Sequence, residues 1–232
     1  MDRVTLFAVV EGQSESGFFK PFLAEHLALR GIDLHVPVIG KGSAKGGMLF
    51  RSFGQVCAEL GDFLADRRRP WVTTFFDYYG LPTGARLGWD FVPTAKARGG
   101  VTEIEDRLRE GVSQAARQLA ERFIPYVQLH ELEALYFAEP ATLSTVLESP
   151  ESAETFAAVV AKAGGCEQIN DSPITAPSKR LQAICPGYIK GRSSAAHAPR
   201  LGAKLSMATV RGLCPRFHAW LELIEGLGRL AA

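Results

Sequence analysis

The chain has 232 residues, of which 47% are hydrophobic and 22% charged, with a formal net charge of +1. That mixture excludes a disordered polyelectrolyte and supplies no global field for gripping nucleic acid, although a local basic patch stays open. The length suits one large α/β domain, or one domain with a helical appendage. The cysteines at 57, 166, 185 and 214 have neither metal-ligand spacing nor the density of a disulfide scaffold, and read as reduced thiols of a cytoplasmic protein. No apolar run reaches the length of a bilayer span, and MDRVTLFAVVEGQSE is not expected to act as a secretory leader.

Residues 4–10, VTLFAVV, are apolar and β-branched, the pattern of a strand buried on both faces. Over 15–30, Phe18, Phe19, Phe22, Leu23, His26 and Leu27 share one side of a helix, and Pro21 argues for a late start or a kink. LHVPVI at 34–39 reads as a second strand, with Pro37 placing it at a sheet edge. GKGSAKGG at 40–47 is a basic, glycine-rich loop. A helix around 52–66 leads to the strand WVTTFFD at 71–77, and glycines and prolines make 78–100 an irregular excursion. Residues 101–120 form a helix with Glu103, Glu105 and Asp106 at its dipole-positive end. RFIPYVQLHELEALYFA then reads as a strand ending near Leu129, followed by a short apolar helix.

Strand–helix alternation at this spacing indicates an α/β fold: a largely parallel sheet with flanking helices. The expected division is a core over 1–139 and a mainly helical extension over 140–232, packed on that core. Its candidate helices are 151–163, 177–184 and 215–228. Phe217, Trp220, Leu221 and Ile224 fall on one side of the last, a docking face.

Acidic residues recur where strands end. Glu11 follows the first strand, Asp77 closes the third, and Glu131 and Glu133 lie just beyond Leu129. In a parallel sheet the carboxyl ends of the strands share one edge, so these groups would repel unless protons or a cation neutralised them. Oxygen ligands without a cysteine cluster suit Mg²⁺ or Mn²⁺. The competing reading makes each acid a turn, cap or solvated residue.

VVEGQSE at 9–15 resembles the opening motif of Toprim domains, the divalent-metal catalytic domains of topoisomerases, primases and overcoming-lysogenization-defect nucleases. Together with TTFFDYYGLP, RFIPYVQLHELEALYFA, INDSPITAPSKRL and CPRFHAWLELI, it makes nearly the whole chain resemble an uncharacterised Toprim-like bacterial family encoded beside ATPases in presumed phage-defence loci. The resemblance implies a Toprim-like sheet, with Glu11 as the first-motif glutamate and Asp77 as the first member of an Asp-x-Asp pair. Tyr79 stands at the second position of that pair. A later acid completes the metal site in the overcoming-lysogenization-defect nucleases, a role that falls here to Glu131 or Glu133.

The implied activity is divalent-metal-dependent phosphodiester hydrolysis in nucleic acid, with a separately encoded ATPase as partner and no membrane. Glu11 is a ligand or the base for water, and His130 is a proton acceptor, a phosphate contact or a structural imidazole. Lys41 and Lys45 in the glycine-rich loop, and Lys179 and Arg180 in TAPSKRL, are candidates for holding a nucleic-acid backbone. Tyr78 and Tyr79 are candidates for stacking on a base. No GxxxxGK[ST] loop marks an ATP site in this chain. The alternative is a non-catalytic interaction or regulatory protein of an ATPase-containing complex, favoured by Tyr79.

Overall fold

VTLFAVV forms a buried strand, and the chain turns from it directly into a helix. The computed structural model describes residues 3–40, 51–98, 100–170, 172–191 and 193–231. The first elements are β1 (Val4–Val10), α1 (Gln13–Ala28), β2 (Ile32–His35), α2 (Phe53–Leu64) and β3 (Trp71–Asp77). They are followed by α3 (Phe91–Ala97), α4 (Val101–Ala116), β4 (Phe123–Ile124), β5 (Val127–Gln128) and α5 (Glu133–Tyr136). The remainder is helical: α6 (Pro140–Val146), α7 (Ala153–Ala163), α8 (Pro177–Ile184), α9 (Ser193–Lys204), α10 (Met207–Leu213) and α11 (Pro215–Leu227).

The five strands are parallel, in the order β2-β1-β3-β4, with β5 also paired to β3. The expected α/β fold with flanking helices and a helical C-terminal region is therefore present. The register aligns the strand ends. Val10 pairs with Phe75, and Asp77 pairs with Gln128, so β1, β3 and β5 all end at one edge.

Several boundaries differ from expectation for identifiable reasons. The second strand spans 32–35 rather than 34–39, and of the later residues Val38 keeps an isolated bridge to Val10. Pro37 has no N–H to donate and lies just beyond the regular pairing; β2 lies at the sheet edge as expected. α1 starts early, at Gln13, and runs through Pro21. Proline deprives the Gly17 carbonyl of its helical donor, and burial of Phe18, Phe19, Phe22, Leu23 and Leu27 offsets that loss. α2 begins at a Ser52 capping box closed by Gln55. The strand expected to end near Leu129 is two short pieces divided at Pro125 and Tyr126.

Period-two alternation sends the strands' side chains to two cores. On one face, Leu6, Val10 and Phe75 pack with Phe18, Phe19 and Phe22 of α1 and with Phe217, Trp220 and Leu221 of α11. On the other, Phe7, Val9, Val72 and Phe76 pack with Val56 and Leu60 of α2 and Ile104 and Leu108 of α4. Each large side chain fully buried in this way contributes about 1.5–3 kcal/mol. Trp220 also donates its indole N–H to the Thr73 hydroxyl at 2.9 Å, tying α11 to β3. α9 lies close against α1 at Gly202, where a Cβ would collide with the Phe18 carbonyl. The C-terminal helices thus share a hydrophobic core with the sheet.

Candidate functional site

The edge where β1 and β3 end carries Glu11 and Asp77. The Asp77 amide donates to Glu11 Oε1 at 2.7 Å, which draws the glutamate across the gap between the two strands. Asp77 Oδ1 in turn accepts the Leu132 amide at 2.8 Å, fixing the start of the segment that bears Glu131 and Glu133. Glu15, one helical turn beyond Glu11 in the first turn of α1, is buried beside them. Asp77, Glu131 and Glu133 are buried as well.

The C-terminal half closes over these acids. Ser178, in the first turn of α8, donates its amide to Glu131 Oε2 at 2.7 Å and its hydroxyl to Oε1 at 3.0 Å. An acid at a helix N-terminus satisfies an amide that has no helical partner and complements the dipole. The segment after α8 supplies Tyr188, whose hydroxyl donates to Glu133 Oε1 at 2.8 Å. It also supplies Lys190. The ammonium lies 2.7 Å from Glu131 Oε1, 3.3 Å from Asp77 Oδ2 and 3.6 Å from Glu133 Oε2, on a side chain that is 39% exposed.

The electrostatics follow from burial. Desolvation, with the Glu15 carboxylate next in weight, pushes the Glu11 carboxyl from 4.5 up to about 8. Desolvation also raises Glu15 and Glu133, and holds Asp77 well above the usual carboxylate range in spite of the nearby Lys190. Burial works against the Lys190 charge, but Glu133, Asp77 and Glu131 together raise it above its ordinary value. Three of the five carboxyls, those of Asp77, Glu131 and Glu133, contact the Lys190 ammonium, while Glu11 feels Lys190 and, more weakly, Lys96 from further away. Burial thus works against ionisation of Glu11, Glu15, Asp77 and Glu133 together unless further positive charge is supplied.

The family known as DUF4276, a domain of unknown function, matches residues 10–225. The chain belongs to the DUF4276 family. The match runs from the last residue of β1 into α11, so it takes in every acid of the centre and the Lys190 segment. No curated protein and no solved structure matches the chain.

The remaining expected residues of this DUF4276 chain fall in different places. His130 occupies a left-handed turn, φ 65°, between β5 and α5, and its ring packs edge-on against Tyr78. Tyr78 is buried with the Lys96 ammonium 4.7 Å from its ring centre, while the Tyr79 amide donates to the His130 carbonyl at 2.9 Å. Lys179 Nζ donates to Gln182 Oε1, and Arg180 lines a cavity with α7 residues. Lys41 and Lys45 lie outside the described residues. Asn170 and Thr175 bond to each other, as local capping groups do.

Sequence reasoning missed Glu15, Ser178, Tyr188 and Lys190 as parts of the centre. Only Glu15 carried a local signal, its four-residue spacing from Glu11 at a helix start.

The donor set fits a hard divalent cation in its chemistry: several carboxylate oxygens, no thiolate, and surplus negative charge. The buried Tyr136 hydroxyl adds an oxygen with no hydrogen-bond partner among the described residues, and Glu133, Glu15 and Asp77 are close enough to help burial raise its pKa. As placed, though, no three carboxylate, imidazole or thiol groups among the described residues are gathered tightly enough to chelate a metal. Asp77, Glu131 and Glu133 are gathered round the Lys190 ammonium instead. Among the described residues, no helix is long and apolar enough to cross a membrane.

Proposed function

We propose that this protein hydrolyses phosphodiester bonds in nucleic acid at the acidic centre, with Mg²⁺ or Mn²⁺ bound. In this reading it is a cytoplasmic, Toprim-like effector working beside a separately encoded ATPase in a phage-defence system. The support is the resemblance of VVEGQSE and TTFFD to Toprim motifs, together with one observation. Carboxyls just after β1, in α1, at the end of β3 and in the segment after β5 meet at a single strand edge, where burial raises those of Glu11, Glu15, Asp77 and Glu133.

Glu11, Asp77, Glu131 and Glu133, with Glu15 added, would hold the cation. When bound, it would supply charge to polarise a phosphate and stabilise the developing negative charge. The protein's own groups divide the remaining work. Glu11 would either ligate the cation or accept a proton from the attacking water. Asp77 positions Glu11 through its amide, and Ser178 and Tyr188 hold Glu131 and Glu133 in fixed orientations. Lys190 compensates charge from a half-exposed stem.

A second reading is a non-catalytic interaction protein of the same complex. It is favoured by Tyr79 at the second position of the acidic pair, and by an ammonium already bonded among three of the acids. The deciding experiment measures Mn²⁺ and Mg²⁺ binding to wild type, Glu11→Ala and Asp77→Ala, followed by nuclease assays with and without the ATPase. Binding that both substitutions weaken, with cleavage of DNA or RNA that they abolish, supports hydrolysis. Wild-type protein that binds no divalent cation and cuts nothing, even with the partner and nucleic acid present, supports the second reading.

A further inference from the structure

A cavity of about 460 Å³ lies away from the acids, between α7, the residues after it, and α8. Its volume falls within the range of small-molecule sites, about 300–1,000 Å³. Ala158, Val159 and Lys162 line it from α7 at spacings that share one helical face. Ala158 and Lys162 are exposed on that face, while Val159 and Ala163 also pack against the core. Gln168, Asn170 and Arg180 complete the wall.

The lining has a definite chemical character. Two cations, Lys162 and Arg180, reach the cavity, and the described residues lining it include no carboxylate to neutralise them. Arg180 Nε donates to the Thr175 carbonyl at 3.4 Å, and its other guanidinium N–H groups have no bond to the described residues. The Thr175 hydroxyl donates to Asn170 Oδ1, so the Asn170 amide is oriented with its NH₂ as the remaining donor. Gln168 adds a second amide, able both to donate and to accept. Ala158 and Val159 form a small apolar wall between these polar ends. Charge for a phosphate, amides for a heterocycle's edge and an apolar wall for its face thus occur together.

We propose that this cavity binds the phosphate and base of a nucleotide. The site is distinct from the acidic centre and stands whether or not hydrolysis occurs there. It shares α8 with that centre. Ser178 grips Glu131, while Arg180, two residues and about 200° further round the helix, faces the cavity.

Calorimetric titration of the full chain with AMP, with a short single-stranded oligodeoxynucleotide and with inorganic phosphate tests the proposal. Lys162→Glu and Arg180→Gln remove the charges. Ala158→Trp fills the cavity from an exposed helix position and keeps both cations, so a folding defect at Arg180 cannot obscure the result. AMP or the oligonucleotide should bind saturably and more tightly than phosphate, and each substitution should weaken that binding about ten-fold or more. Tighter binding of AMP identifies a free nucleotide as the source; tighter binding of the oligonucleotide identifies a nucleotide within a strand. Nucleotide binding no tighter than that of phosphate, or left unchanged by the substitutions, overturns the proposal.

Discussion

Lys190 Nζ lies 2.7 Å from Glu131 Oε1, joining the segment after α8 to the segment after β5 across 59 residues of sequence. The same ammonium also reaches Asp77 and Glu133, so its removal leaves three buried carboxyls without their nearest positive charge. Lys190→Met should therefore destabilise the protein at pH 8 by about 1–3 kcal/mol. That is below the usual cost of breaking a buried pair, because the lysine stem is partly exposed. The loss should shrink at pH 5, where Asp77 and Glu133, both raised, take up protons more readily, and Mn²⁺ at pH 8 should restore part of it. Urea denaturation at the two pH values checks this; an equal loss at both would mean that charge compensation is not what Lys190 provides.

Glu11 sets a second expectation, whose sign follows from its raised pKa. Its carboxyl titrates near 8 in the folded chain against an ordinary value of 4.5. Between those values the folded state keeps a proton that the unfolded state has released. The associated stability is fully present below about 4.5 and is lost as pH rises through about 8, at up to about 1.4 kcal/mol per pH unit for one proton. Glu15, Asp77 and Glu133, also raised, act in the same direction. Glu11→Gln, which cannot ionise, should flatten the decline between pH 5 and 8 by about one proton. Denaturation midpoints across that range measure it, and a slope identical to wild type would refute the assignment.

The parts of this arrangement that were legible in the sequence are those set by local periodicity. VTLFAVV and WVTTFFD read as buried strands because β-branched and apolar residues fill them, and their last residues put Glu11 and Asp77 on one edge once the sheet is parallel. Lys190 was visible only as one basic residue among several. It comes from a loop 113 residues after Asp77, and loop residues carry no period that says where they point. α9 is not among the candidate helices, and it runs through Pro199, a residue that the interior of a helix disfavours. Its close packing against α1 at Gly202 is a tertiary contact, which propensity does not encode. The two amides and two cations of the α7–α8 cavity are likewise scattered over residues 162–180 and meet only in three dimensions.

Ser178 offers a direct test of how the acidic centre is held. Its hydroxyl and amide both donate to Glu131, and the hydroxyl alone can be removed without disturbing the helix start. Ser178→Ala should cost about 1–3 kcal/mol, the range for leaving a buried group without one of its hydrogen-bond partners. Combined with Glu131→Gln, the losses should fall short of additive by about 0.5 kcal/mol or more, because the two residues share one interaction. A double-mutant cycle by urea denaturation provides the number, and strict additivity would show that the contact contributes nothing.

Gly202 tests whether the C-terminal helices and the sheet unfold as one unit. A Cβ at this position would meet the Phe18 carbonyl, so Gly202→Ala must push α9 away from α1 or distort one of them. Overpacking of this kind costs about 1–3 kcal/mol. α1 also covers the face of the sheet that holds Phe75, where Trp220 of α11 packs as well, so the strain should reach the shared core instead of remaining in α9. In a Trp220→Phe background, tryptophan fluorescence, reporting on Trp71 in β3 and on Trp89 in the core beside α2, and far-ultraviolet circular dichroism, reporting on all the helices, should then give one coincident and lowered transition. If the helical signal were lost first while the fluorescence held, the C-terminal helices would be a separable unit, and the grip of Ser178, Tyr188 and Lys190 on the acids could open without unfolding the sheet.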